Sequence, residues 1–199
     1  GALNVFIGSG QSLVLSNSPQ KLTVSANRFD PSRPDVTLPG GGVITEALEG
    51  GSLGGLIAFR EEVLAPVRSQ VGLLAMSLAS QINSIQQSGR DLSGNAGQAF
   101  FSIPPVVVQS SGLNAGSASL SASVTSIGQL TGDNYRAVAD GAGGFSLYTQ
   151  PGNTAVSAAS VGLTISLSGT AAAGDTFLIK PTDGVAAGLT MSLSTPAQI

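Results

Sequence analysis

Ser18 and Lys21 stand three residues apart, Glu61 and Glu62 are adjacent, and Asp91, Ser93 and Asn95 alternate within "DLSGNAG". These are the places where the sequence gathers residue types able to do chemistry. An S-x-x-K pair supplies a serine nucleophile with a lysine, but in enzymes that use it the serine opens a helix and S-D-N and K-T-G motifs complete the site. Here Pro19 and a strand-like stretch surround the pair and neither partner motif occurs, so chance is the better reading. Adjacent carboxylates on a helix point about 100° apart and do not converge. Glu61 and Glu62 therefore read as a solvated face near a helix start, where the helix dipole favours negative charge. The oxygens of Asp91, Ser93 and Asn95 resemble the opening of a calcium loop, which also needs Gly at its sixth position and a bidentate carboxylate at its twelfth. Those positions hold Ala96 and Ser102, which leaves a structural Asx turn as the reading.

The wider inventory is poor in catalytic groups. The 199 residues contain neither His nor Cys, which removes Ser-His-Asp and Cys-His arrangements, His- and Cys-based metal sites and disulfides. No Gly-rich stretch lies between a strand and a helix in a phosphate-cradling pattern. We expect no catalytic residues, no cofactor and no metal. With a net charge of −3 and a pI near 4.7, the chain lacks the basic footprint of a nucleic-acid binder. Mean hydropathy is +0.31, yet the apolar runs are short and interrupted. A soluble chain that neither spans nor binds a membrane is the expectation. Charged residues make up only 10%, and none occurs between Leu92 and Gly132 or between Gly141 and Gly174. Such stretches suit packed β-structure in an exported protein. A charged n-region followed by an apolar h-region does not open the sequence, so no cleaved secretory signal is read.

Short strands are predicted at Leu3–Ile7, Ser12–Leu15 and Lys21–Ser25, separated by Gly8-Ser9-Gly10 and Ser16-Asn17-Ser18-Pro19. Pro31, Pro34, Pro39 and three glycines mark residues 28–42 as a loop or irregular edge. Residues 43–51 offer one or two helical turns stopped by Gly50-Gly51. A long helix follows from about Leu53 to about Ser88, with Ser52 as N-cap and Gly89 as a left-handed C′ residue. Pro66 lacks the N–H that would bond the Glu62 carbonyl, so a kink near Glu62–Pro66, or two helices meeting there, is expected.

Along this helix Ile57, Leu64, Val67, Val71, Leu74, Leu78, Ile82 and Ile85 fall mostly at alternating steps of three and four, the spacing of a coiled-coil seam. Burying about eight such residues is worth ~1.5 to 3 kcal/mol each, so roughly 12 to 24 kcal/mol of gross burial depends on a partner surface. After residue 89 no second heptad pattern appears. The expected partners are helices outside this chain or in neighbouring subunits; the other option is the β-region lying across the seam.

From Phe100 onward the period becomes two. "SLSASVT" (119–125), "YRAVAD" (135–140), "FSLYTQ" (145–150), "LTISLSG" (163–169), "TFLIKP" (176–181) and "LTMSLS" (189–194) give about six strands, with a hairpin at Gly141-Ala142-Gly143-Gly144. The predicted fold is α+β, a long kinked helix with a short β-hairpin region followed by a small antiparallel β-domain. Residues 1–101 form the helical portion and 102–199 the β-domain.

Four ordered stretches resemble the flagellar hook-associated protein 1 family of hook–filament junction proteins. They are "GGSLGGLIAFREEVL" (50–64), "LASQINSIQQSGRDLSGNAGQAFF" (78–101), "ASVTSIGQLTGDNYRAVADG" (122–141) and "GLTISLSGTAAAGDTFLIKP" (162–181), with "LNVFIGSGQSLV" before them. The second is the most specific, with Asn83, Gly89, Asp91, Leu92, Gly94, Gly97, Phe100 and Phe101 at the family's spacing. Gln86 departs from it, standing where relatives often carry His.

The resemblance implies a non-enzymatic structural subunit of the bacterial flagellum that acts by self-assembly at the hook–filament junction. It implies an extracellular location reached through type III export, and a role in motility. Partners implied are copies of itself in the flagellar lattice, hook protein, the next hook-associated protein, and an export chaperone through a C-terminal segment not present here. Terminal helices of the family bundle with the central helix, so this chain is expected to be a central fragment whose seam has lost those helices. Phe100 and Phe101 would close the boundary between the two domains, a role equally met by ordinary core packing. Two alternatives stand: another axial flagellar subunit, and an extracellular β-rich adhesin or carbohydrate-binding module. The second would need exposed aromatics, whereas the seven Phe and two Tyr fall mostly at strand positions expected to be buried.

Overall fold

The structure, a computed structural model, describes residues 4–7 and 10–199. Leu3 of the first predicted strand and Gly8-Ser9 of the following turn lie outside the described residues. By packing, the chain divides into two units, Gly1–Ala65 and Pro66–Ile199.

In the first unit, β1 (Val5–Ile7), β2 (Gln11–Leu15) and β3 (Ser18–Pro19) form an antiparallel sheet, and β4 (Thr23–Ala26) pairs with β5 (Pro34–Thr37). The second pairing corrects the loop reading of residues 28–42. Pro34 is tolerated because it opens its strand, where its missing N–H does least harm. A single 3₁₀ turn, Thr45–Ala47, stands where one or two helical turns were expected. Buried Asp35 draws this unit together by accepting from Asn27 Nδ2 at 2.9 Å and from Thr45 Oγ1 at 3.1 Å. Apolar cohesion is scant: Ile44 is the only buried hydrophobic residue among those described here, while Phe6, Leu15 and Val24 are exposed.

Helix α1 (Gly51–Ala58) begins two residues earlier than predicted, with Gly50 at φ 77° in the N-cap position and no side-chain cap. Ser52 thus sits inside the first turn. Gly54 enters because a Cβ there would lie 2.7 Å from the carbonyl of Leu48. At the expected kink the chain forms one π turn, Phe59–Leu64, closed by Ala65 N–H donating to the carbonyl of Arg60. Pro66, which has no N–H to donate, stands in the first turn of the helix that follows, where that donor is not needed. The helix α2 (Ala65–Ser88) completes a helical run of 38 residues from Gly51 to Ser88. By length and composition this run reaches the threshold for crossing a membrane, contrary to the reading of the interrupted apolar runs. At its end Gly89 donates to the carbonyl of Gln86 at 3.1 Å, a 3₁₀-type closure in place of the left-handed cap predicted.

The second unit places α2 against a β-domain. Strands β6 (Phe101–Ser102), β7 (Val107–Ser110), β8 (Ser119–Val124), β9 (Asn134–Ala139), β10 (Phe145–Gln150), β11 (Ala155–Val156), β12 (Leu163–Ser168), β13 (Thr176–Lys180) and β14 (Thr190–Met191) are all antiparallel to their partners, and a short helix α3 (Val185–Gly188) precedes the last. One sheet runs β11-β10-β9-β13-β7, with ribbons β12-β8 and β14-β6 beside it. The predicted hairpin joins β9 to β10. Gly141 and Gly143 adopt φ 78° and 96°, and Asp140 Oδ1 accepts from the N–H groups of Ala142 and Gly144. Period-two patterning explains the core. On β8–β12, Leu167 faces Leu120 and Ile165 faces Ala122 on one side, while Ser166 faces Ser121 and Ser168 faces Ser119 on the solvent side. Leu120 and Leu163 join Tyr135, Ala137, Leu147, Phe177 and Ile179 in the core cluster, and Met76 of α2 belongs to it.

Two features hold this unit at fixed distances. The backbone of α2 approaches the turn after β13 so closely at Gly72 that an added Cβ would stand 1.9 Å from the carbonyl oxygen of Thr182. The carboxylate of Asp175 accepts from the N–H groups of Ala115 at 2.8 Å, Gly116 at 3.0 Å and Ala172 at 2.9 Å, tying two loops to the start of β13. Burial pushes its pKa up, but these N–H donors outweigh that effect and hold it below the ordinary carboxylate value.

Two expectations follow. Gly72→Val should cost about 3 kcal/mol through overpacking and lower the melting temperature by about 6 to 12 °C in thermal denaturation; an unchanged melt would show that the helix does not sit this close. Because the folded pKa of Asp175 is depressed, its contribution is complete above the unfolded value of about 3.9 and is lost as the pH falls through the folded value. Asp175→Asn, whose amide N–H₂ must face backbone donors, should be less stable than the wild type at pH 7. The gap should narrow below about pH 4, and a gap constant down to acid pH would contradict the assignment.

Candidate interaction surface

Helix α2 has two unlike faces. Ser69, Gly72, Met76 and Ala79, at steps of three, four and three, are buried against the β-domain. Ser69, Gly72 and Ala79 are small enough to permit the close approach, and polar groups flanking them fix it. Gln70 Nε2 donates to the carbonyl of Thr131 at 2.9 Å. Asn83 behaves like a strand neighbour of Phe101, donating from Nδ2 to its carbonyl at 2.8 Å and accepting its N–H at 2.7 Å. Gln86 Nε2 donates to the carbonyl of Gln198 at 2.8 Å, and Leu92 N–H donates to the carbonyl of Ala197 at 3.1 Å, so the C-terminal 3₁₀ turn is clamped beside the helix end. Gly97 packs on Gln86, where a Cβ would lie 1.8 Å from the backbone carbonyl oxygen.

Of the predicted seam residues in this unit, Val67, Val71, Leu74, Leu78 and Ile85 are exposed, from 50% at Val71 to 72% at Ile85, and Ile82 is half-buried. The β-domain therefore lies across the small-residue face, and the option that placed it on the seam is corrected. In the first unit Leu64 is exposed and Ile57 half-buried. The π turn between these two adds about one residue to a helical turn, so their seven-residue spacing does not bring them into line. There Leu53, Leu56, Phe59 and Val63 are the other exposed apolar residues of the helical run.

The residues singled out for chemistry are engaged otherwise. Asp91 Oδ1 accepts from the N–H groups of Ser93 at 2.9 Å and Asn95 at 2.8 Å, and Oδ2 accepts from Asn95 Nδ2, forming an Asx-type turn. Burial raises its pKa but the bonds from Asn95, Ser93 and Gly94 hold it low. Glu61 forms ion pairs with Arg33 and, at 3.1 Å, with Arg60. Ser18 and Lys21 are both exposed. No group of three or more Asp and Glu residues that could hold a metal occurs among the described residues. Phe100 and Phe101 stack with ring centroids 4.9 Å apart, tilted by 59°, beside the β6–β14 ribbon. Sequence reasoning missed the roles of Asn83 and Gln86; the small residues at 69, 72 and 79 were the signal available for the face they belong to.

An α+β structural module, with a helix held by one face and presenting apolar residues on another, is the class this architecture defines. The family model described as "Flagellar hook-associated protein FlgK helical domain" matches residues 1–101. The chain belongs to the flagellar hook-associated protein FlgK family. It is 27% identical to flagellar hook-associated protein 1 of Escherichia coli K12 and 30% identical to that of Salmonella typhimurium LT2, with all of this chain covered in each case. The structure of the flagellar hook junction protein FlgK from Burkholderia pseudomallei superposes with a TM-score of 0.87 at 34% identity over 98% of this chain. The chain spans about two fifths of the length of these relatives, 39%, 38% and 39% respectively.

Asn83→Ala removes both bonds to Phe101 and leaves a strand-end N–H and carbonyl without their partner, at about 1 kcal/mol or more for each. Urea unfolding of the isolated chain should show a loss of about 2 kcal/mol, with amide exchange accelerated first at Phe101 and Ser102. Unaltered exchange there would show that Asn83 does not hold β6.

Proposed function

We propose that this chain is part of a structural subunit of the bacterial flagellum, located outside the cell at the junction between hook and filament, and that it acts by packing and not by catalysis. The observation that carries the proposal is the row Val67, Val71, Leu74, Leu78 and Ile85, uncovered on a helix whose other face is already buried. Uncovered apolar residues in such a row mark an interaction site. Helices of the longer protein and neighbouring subunits are its occupants in this reading. Ile82 belongs to the margin of this interface, and Ile57 and Leu64 of the first unit are proposed as interaction residues there. The meagre core of residues 4–7 and 10–65 supports the idea, because a unit of this size with a single buried hydrophobic gains its order from neighbours. In the assembled state residues 1–101 act as the helical portion and 102–199 as the β-domain. Copies of the same protein, hook protein and the next hook-associated protein are the partners, with export through the type III apparatus assisted by a chaperone.

The test replaces the parent gene by a full-length version carrying Leu74→Asp and Leu78→Asp. Both positions are exposed here, so each substitution should change the isolated chain's stability by no more than about 0.5 kcal/mol, and light scattering should find the isolated wild-type and variant chains equally monomeric. Cells should carry hooks without filaments and lose flagellin to the medium, as a deletion does, while the wild-type gene restores motility. Normal filaments from the variant would refute the seam, normal filaments from the deletion would refute the junction role, and a stable ring formed by the isolated chain would refute the need for further helices.

A further inference from the structure

Between Asp91 and Ile199 the chain has two cationic side chains, Arg136 and Lys180. Strand register puts both on one face of the five-stranded sheet. Gln109, Leu178, Arg136 and Tyr148 lie side by side across β7, β13, β9 and β10, and Lys180 and Asn134 follow two residues along on β13 and β9. The alternate residues Phe177, Ala137 and Leu147 enter the core, so this face looks away from it.

All six residues are half-buried, and the Lys180 side chain is only 12% exposed, so the cations are packed into the face and are not a fringe of mobile charges. The Arg136 guanidinium lies over the Tyr148 ring, 5.1 Å from its centre, and donates to Asn153 Oδ1. Its other donors have no partner among the described residues. Lys180 Nζ stands 3.4 Å from Asp183 Oδ2. The same face carries two buried side-chain oxygens without a hydrogen-bond partner, Gln109 Oε1 and Asn134 Oδ1, out of four such side-chain atoms among the described residues. Buried polar atoms are ordinarily satisfied, and each exception calls for an explanation.

We propose that this face binds an acidic saccharide of the uronate type. A short oligouronate matches the roughly 14 Å across these four strands and brings what the face calls for: carboxylates for the free donors of Arg136, hydroxyl donors for the Gln109 and Asn134 oxygens, and an apolar ring face for Leu178. Binding in this proposal requires the neighbouring side chains of the face to turn aside and uncover the Gln109 and Asn134 oxygens. An acidic peptide would satisfy the cations but carries no such dense set of hydroxyl donors, and a neutral sugar would leave the guanidinium unanswered. Self-assembly is not required, so the monomeric chain can be tested.

The experiment titrates the ¹⁵N-labelled full chain with trigalacturonate, maltotriose and triglutamate. Trigalacturonate alone should give saturable shift changes, concentrated on amides of β7, β9, β10 and β13. Arg136→Gln and Lys180→Gln should each weaken binding about tenfold, the effect of one lost charge-assisted hydrogen bond, while their melting curves stay near that of the wild type. Absence of saturable changes on these strands would overturn the proposal, as would an equal response to maltotriose or to triglutamate. Undiminished binding by both folded variants would overturn it as well.

Discussion

The contact between Gly72 and the Thr182 carbonyl sets the terms for the second unit. A helix can lie that close to another backbone only along a face made of small residues, and Ser69, Gly72 and Ala79 provide it, while Met76 reaches into the core cluster. Once that face is committed, the bulky branched residues point elsewhere. Helical geometry does the rest: Val71, Leu74 and Leu78 cannot turn inward without pulling Gly72 and Ala79 out. The exposure of the apolar row is thus a result of how the helix is held and not a flaw in its packing.

Much of the β-domain was legible because serine alternates with Leu, Ile and Val on β8 and β12, and a period of two has only one interpretation when half the residues are polar. Strand β7 escaped because Val106, Val107 and Val108 form an apolar run with no alternation, and β6 and β11 are two-residue pairings set by tertiary neighbours, while β14 is shorter than the strand predicted at 189–194. The helix was legible in extent but not in orientation. Large apolar side chains dominate any hydrophobic periodicity, so the spacing of Val67, Val71, Leu74 and Leu78 outweighed the fainter series of small residues that is buried. Pro66 correctly marked a disturbance, yet its resolution as a π turn depends on hydrogen-bond choices that local propensity does not encode.

The stretch from Asn83 to Phe101 shows how a family-like pattern acquires a physical meaning. Asn83 supplies both an acceptor and a donor to the backbone of Phe101, Gly97 allows the chain to cross the Gln86 carbonyl, and Asp91 closes the turn between them. Gln86, the position that departs from the resemblance, still reaches the carbonyl of Gln198 with its amide. A neutral donor suffices at that position. The residues that looked most like chemistry in the sequence are turn and surface residues, while the polar work lies in side chains that replace backbone partners.

From Ala65 to Ser88 the helix carries a single formal charge, that of Arg68. Contacts made through its apolar row therefore owe little to Coulomb attraction, which dissolved ions weaken over distances of about 10 Å at 0.1 M salt. Salt that would loosen a charged joint leaves an apolar one almost untouched, or tightens it when the ions are strongly hydrated. A connector built on this helix would keep its grip in dilute freshwater and in brine alike, and cooling, which weakens apolar association, would be the harsher trial.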